Sequence, residues 1–280
     1  MNLLERIKWR AGTIESFAKE GRGLSDCIKL GLAGVARRRP FDERSAYGRI
    51  FRIFGHEVLV RIKKATGIAI RLNLTNFVDL TVFEEVVIED IYPLDRLPFM
   101  PELIVDAGAC RGLFSLLAHA RYPAAVLVCI EPEPTNAAML RRHLTDNNIE
   151  ADVIEAALSA SEGPVCFSGD GFGGHICELS ESGGVKVASV SLTDIFQKHR
   201  DKRLLLKMDI EGAEKLVLPS VVRFLPRDTV LFLETHHSEE ECDDYLRELR
   251  ASGFRETVIR RRVNDEATNE YVERVFVRAK

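Results

Sequence analysis

The decapeptide LIVDAGACRG, residues 103–112, decides the fold. Leu103, Ile104 and Val105 run without interruption into Asp106, and glycines follow at 108 and 112. An apolar run with no polar alternation is the pattern of a strand buried on both faces, as in a parallel sheet flanked by helices. Two glycines straight after it mark a loop that turns tightly or passes very close to something. GLFSLLAHARY, which starts at Gly112, has helical spacing, so the unit is strand, glycine loop, helix.

The same alternation continues downstream. AVLVCIEPEP reads as a strand and TNAAMLRRHLTDN as a helix capped by Thr135. DVIEAALS, LLLKMDI and TVLFLETHH read as further strands. TDIFQKHR reads as a helix capped by Thr193, and EGAEKLVLPSVVRFL as a helix opened by Glu211 and Glu214, acids that favour the helix dipole. SEEECDDYLRELRASG has a capping box from Ser238 to Glu241 and ends at Gly253. FRETVIRRR and EYVERVFVRA close the chain as strands. PVCFSGDGFGGHICEL and VKVASVSL look like an inserted hairpin region. Its glycine-rich stretch 168–176 is a turn, or a flap that would carry His175 over a substrate. The fold class is therefore α/β, a mostly parallel sheet with helices on both faces.

Upstream, residues 1–46 read as a helical extension, with ARRRPFDER (36–44) as a linker. Residues 47–100 alternate, as in HEVLVRIKK and IAIRLNL, and are expected as short antiparallel strands packing on a catalytic domain at 101–280.

Composition bounds the function. The chain has 280 residues, 46% apolar and 29% charged, with a net charge of -4. Basic residues outnumber acidic ones about two to one up to Lys64, and the remainder is acidic, so no nucleic-acid footprint is present. The basic N-terminal helices could meet an acidic membrane face peripherally, or pack on the catalytic domain or against a second subunit as a homodimer. Cysteines at 27, 110, 129, 166, 177 and 242 have no metal or C-x-x-C spacing, which fits a reducing cytoplasm. MNLLERIKWR lacks the apolar core of a secretory leader, and IKLGLAGVA is too short to span a bilayer.

Asp106, Gly108 and Gly112 form D-x-G-x-x-x-G, and Glu131 closes the next strand with a second acid. A carboxylate there can accept hydrogen bonds from both hydroxyls of a ribose. Dinucleotide sites place a glycine where this chain has Asp106, because they cradle a pyrophosphate. An acid at that position suits a ligand with a cationic end, and S-adenosyl-L-methionine carries an ammonium and a sulfonium.

VDAGACRGLFS, IEPEPTNAAMLRRHL, EAALSASEG, LLKMDIEGAE and LFLETHH, in that order across roughly residues 90–240, resemble the FkbM family of S-adenosylmethionine-dependent methyltransferases. The resemblance implies a Rossmann-like class I methyltransferase sheet of seven strands with the last reversed. It also implies O-methylation of a hydroxyl on a sugar, glycan or natural product. It carries Asp106, Ala107, Gly108 and Gly112 onto the cofactor loop, Glu131 with Pro132 onto the ribose, Ala156 and Ala157 onto the adenine edge, and Asp209 onto the region of the sulfonium. Cys110 and Arg111 depart from the family's loop, and Arg111 is expected to point outward. A nicotinamide-dependent oxidoreductase and a cofactor-binding assembly partner in a glycan pathway are the alternatives.

Strand alternation puts Phe232, Glu234 and His236 on one side of their strand. His236 is the expected general base, oriented by Glu234 and joined by Asp209 from the neighbouring strand. The same three residues could hold Mg²⁺ or Mn²⁺, or form a buried polar network. Lys207 shares a face with Asp209 and is unusual in so apolar a strand.

Overall fold

The computed structural model describes residues 3–37, 56–160, 163–169, 175–177, 184–236, 239–263 and 270–279. The chain forms two compact units, Met1–Tyr92 with His143–Ile149, and Pro93–Arg142 with Glu150–Lys280. The boundary expected at 46/47 lies outside the described residues; the later one stands at Tyr92/Pro93, where the sequence reading put it at 100/101.

The first unit holds helices α1 (Leu3–Lys19) and α2 (Leu24–Arg37), the antiparallel pair β1 (Glu57–Arg61) and β2 (Ala69–Asn73), and helix α3 (Phe77–Phe83). Alternation does its expected work in β1 and β2, burying Val58, Val60, Ile70 and Leu72. Residues 77–88, expected as strand, are instead helical, α3 running into a π turn at Glu84–Ile88. The cause is the cap. The Asn76 side chain accepts from the amides of Val78 and Asp79, and the Asp79 carboxylate accepts from Asn73 N–H at 2.6 Å. That local start outweighs the strand propensity of Thr81, Val86 and Val87. Asn147 closes the edge of β2, accepting from Ala69 N–H at 2.7 Å and donating to Ala69 O at 2.8 Å.

In the second unit, seven strands form one sheet among the described residues. They are β3 (Leu103–Ala107), β4 (Val126–Ile130), β5 (Asp152–Ile154), β11 (Leu204–Met208), β12 (Thr229–Thr235), β13 (Arg255–Val263) and β14 (Glu270–Arg278), in the order β13-β14-β12-β11-β3-β4-β5. Five run parallel, and β14 is inserted antiparallel between β12 and β13. This is the reversed last strand that the resemblance implies. Helices α4 (Leu113–Arg121), α5 (Pro134–Asp146), α6 (Leu192–Lys198), α7 (Glu214–Val221) and α8 (Glu239–Ala251) connect the strands. Every residue of β3 and of β11 is buried, as a sheet covered on both faces requires.

DVIEAALS divides after Ile154. Its second part, β6 (Ala157–Leu158), leaves the main sheet and pairs in parallel with β10 (Ser189–Val190). The hairpin region is a small sheet of β7 (Val165–Ser168), β8 (His175–Cys177) and β9 (Val185–Val187) with β7 in the centre. The turn at 170–174 proposed as a flap lies outside the described residues, as does the Ser238 end of the capping box. Two helix starts are corrected. Ser191, not Thr193, caps α6 and accepts from Thr193 N–H. The carboxylate of Glu133, not Thr135, accepts from the first amides of α5, those of Thr135 and Asn136. Among the described residues no helix is long and apolar enough to cross a membrane.

Chain order reverses direction between β3 and β11. β4 and β5 build outward on one side of β3, and β11 and β12 on the other. The crevice at the carboxyl ends of strands at such a reversal is where open α/β sheets bind ligands. The loop after β3 and the ends of β11 and β12 meet there.

Candidate active site

The β3–α4 loop is shaped by three left-handed residues, Gly108 (φ +74°), Cys110 (φ +49°) and Gly112 (φ +82°). A Cβ at Gly108 would lie 1.8 Å from the carbonyl oxygen of Asp209, so the glycine is required by the close pass of the loop over the end of β11. Gly108 and Ala109 both donate to Ile130 O at 3.0 Å. Cys110 N–H donates to Glu131 Oε2 at 2.7 Å, which helps offset a left-handed conformation costing roughly 1–2 kcal/mol for a residue with a Cβ.

Glu131 is buried at the end of β4, its other oxygen accepting from Glu133 N–H at 3.0 Å. Burial pushes its carboxyl above the usual range, and the amides of Glu133 and Cys110 pull it back. Each oxygen has a second lone pair. Ala156 and Ala157 are buried after β5, while Glu155 is exposed and paired with Arg141 at 2.8 Å. Arg111 is buried rather than pointing outward, its Nε donating to Asn136 Oδ1 at 3.3 Å. The turn set by Cys110 and Gly112 leads its side chain in toward the start of α5, where Asn136 offers an acceptor.

Asp106 is fully buried beneath the loop. One oxygen accepts from Ser115 Oγ at 2.6 Å, and the other lies 3.5 Å from Lys207 Nζ. Burial pushes its carboxyl up, against the pull of Lys207. Sheet register explains the meeting, because Lys207 pairs with Asp106 on one side and with Phe232 on the other. The Lys207 ammonium donates to Gly108 O at 2.5 Å and lies 3.4 Å from Asp209 Oδ2. Burial works against its charge, but Asp209 and Asp106 more than offset that and keep it protonated. Lys207 thus ties the cofactor loop to the end of β11.

One step further along the strands, His236 sits among four carboxylates. Its Nε2 lies 3.4 Å from Glu211 Oε2, 3.4 Å from Glu234 Oε1 and 3.7 Å from Asp209 Oδ1. Its Nδ1 lies 3.5 Å from Glu214 Oε1. Sequence reasoning brought Asp209, Glu234 and His236 together and missed the other two. Glu211 (φ +53°) and Gly212 (φ +95°) form a left-handed turn, and α7 begins only at Glu214. Glu214 is fully buried, with Oε1 accepting from Ile210 N–H at 2.9 Å. The Glu-Gly pair directly after the strand was the available signal.

Ionised carboxylates only accept, so carboxylates on both sides of an imidazole favour its protonated form. Burial alone would lower the His236 pKa, but Glu214 and Glu234, with Asp209 and Glu211, raise it well above the ordinary value. Burial and the neighbouring Asp209 push Glu211 up to about 7, and the same two causes raise Glu234. His175 is exposed on β8.

Residues 106–256 match the family described as the methyltransferase FkbM domain. The chain belongs to the FkbM methyltransferase family. Among curated relatives it is 37% identical over 84 residues to methyltransferase sdnD of Sordaria araneosa, a match covering 29% of this chain and 32% of that protein. It is 25% identical over 188 residues to 31-O-demethyl-FK506 methyltransferase FkbM of Streptomyces tacrolimicus, covering 55% of this chain and 72% of that protein. The match thus spans about a third of the length of the Sordaria protein. A solved FkbM methyltransferase from Methylobacillus flagellatus superposes with a TM-score of 0.42 at 16% identity, over 96% of this chain and 60% of that one.

Proposed function

We propose that this FkbM-family protein transfers a methyl group from S-adenosyl-L-methionine to a hydroxyl of a sugar, glycan or natural-product acceptor. The observation that carries the reading is the pairing of the glycine loop with Glu131 at the reversal point of the sheet. Glu131 is fixed beside the loop backbone by the Cys110 and Glu133 amides, and a carboxylate held there suits ribose hydroxyls. The loop would meet the methionine part, and Ala156 and Ala157 the adenine edge. Asp209 and Glu234 supply negative charge that suits a sulfonium.

The donor supplies an electrophilic methyl group, and transfer neutralises its charge. Asp209, Glu211 and Glu234 at the ends of β11 and β12 would hold the acceptor hydroxyl and receive its proton. The His236 cation would keep those carboxylates together. That the Streptomyces relative is named for methylation at an oxygen supports oxygen as the acceptor atom.

Calorimetry tests the reading. S-adenosylhomocysteine should bind, NAD should not, and Glu131→Gln should weaken binding by about 1–3 kcal/mol, the worth of hydrogen bonds to a charged group. Binding of NAD with none of S-adenosylhomocysteine would overturn it. Transfer of labelled methyl to a panel of activated sugars, glycolipids and hydroxylated macrolides then finds the acceptor.

A further inference from the structure

We infer that Asp209, Glu234 and His236, with Glu214 as the carboxylate orienting the ring, form a site for one hard divalent cation of the Mn²⁺ or Mg²⁺ class. The ligating atoms of Asp209, Glu234 and His236 all lie within 4.8 Å of one another. Three carboxylate oxygens surround one imidazole nitrogen at 3.4–3.7 Å. Those separations are long for charge-assisted hydrogen bonds, which close to about 2.7–2.9 Å. Arg141 and Glu155 in the same unit do close to 2.8 Å. Atoms about 2.1–2.2 Å from a shared ion and roughly 90–110° apart are separated by about 3.0–3.5 Å, near what is seen here.

The far side of the ring gives an independent indication. Metal-bound histidines commonly donate their other N–H to a carboxylate that fixes the ring. Glu214 stands in that place against Nδ1. It is fully buried, one oxygen is pinned by Ile210 N–H, and the other has no hydrogen-bond partner. The oxygen that faces the ring is thus the one that the Ile210 amide holds in place.

Charge points the same way. Asp106, Asp209, Glu211, Glu214 and Glu234 gather five carboxylates around two cations, Lys207 and His236. Such an excess in a largely buried place is costly. A divalent ion among these carboxylates would offset that charge. One imidazole with several carboxylates suits Mn²⁺ or Mg²⁺ better than a thiophilic ion. The role rests on the reading above: the ion would take the acceptor oxygen and lower the pKa of its hydroxyl, and Glu211, beside the site, would receive the proton.

The test uses Mn²⁺ and the whole chain, stripped with chelator. Electron paramagnetic resonance titration should show one saturable Mn²⁺ per chain, with echo modulation from a coordinated ¹⁴N. Glu234→Gln should weaken binding at least ~10-fold, and Glu214→Gln ~10–100-fold as for other ring-orienting partners. Asp244→Asn, on an exposed face, should change nothing. No saturable Mn²⁺ in the wild-type chain, or a bound ion without ¹⁴N modulation, overturns the site whether or not the variants fold. S-adenosylhomocysteine binding is measured on the same sample. If it persists while Mn²⁺ fails, only this inference falls; if it fails, the proposed function falls.

Discussion

Gly108 has no room for a side chain. Its Cβ would sit 1.8 Å from Asp209 O, on a backbone at φ +74°. Gly108→Ala should therefore destabilise the protein by at least about 2 kcal/mol, because strain and clash add, and should weaken S-adenosylhomocysteine binding. Urea unfolding and calorimetry check the two effects. A variant as stable as the parent would mean that the loop moves freely off β11. Cys110, two residues on, gives a second prediction. Burial and then Glu131 push its thiol up to about 12. At pH 8 its thiolate fraction is on the order of 10³-fold below that of a free cysteine. Iodoacetamide should leave Cys110 unmodified in the folded protein and label it in urea, as read by peptide mass spectrometry. Rapid labelling of the native thiol would show that the loop opens. The sequence disclosed this loop because acid, glycines and apolar strand are local signals. It did not disclose the inward turn of Arg111, which depends on an acceptor 25 residues away at Asn136.

At the scale of elements, the strands of the main sheet were legible and the helix starts were not. Continuous apolar runs such as LLLKM can hardly be anything but buried strands. A helix start is decided by which side chain reaches an amide, and neighbouring serines, threonines and acids compete for it. Ser191 and Thr193 put this to a test. Ser191→Ala should cost about 0.5–2 kcal/mol, the range for a lost N-cap, and Thr193→Ala clearly less. Chemical denaturation of both variants decides, and the reverse ranking would restore Thr193 as the cap. The same ambiguity hid Glu211 and Glu214. Acids at a helix start are favourable in themselves, and only Gly212 after Glu211 marks the left-handed turn that ends β11. Only the register of β11 with β12 brings Asp209, Glu211 and Glu214 to His236.

At the scale of the whole molecule, the two units are not two successive stretches of chain. The first takes residues 143–149 from the middle of the second unit's sequence, a return that no periodicity announces. Within that unit Asp146 pairs with Arg71, Asn147 bonds both backbone groups of Ala69, and His143, fully buried, accepts from Arg71 N–H at 3.0 Å. Residues 1–92 therefore cannot be removed as a dispensable extension. A chain starting at Pro93 would leave His143, Asp146 and Asn147 without these partners. Each lost buried hydrogen bond costs about 1–3 kcal/mol when its partner stays desolvated, and domains hold only about 5–15 kcal/mol in all. The truncated chain should be recovered mainly in inclusion bodies, or melt without cooperativity. Scanning calorimetry against the full chain checks this. A soluble, cooperatively melting fragment that binds S-adenosylhomocysteine normally would show that the catalytic unit folds without residues 1–92.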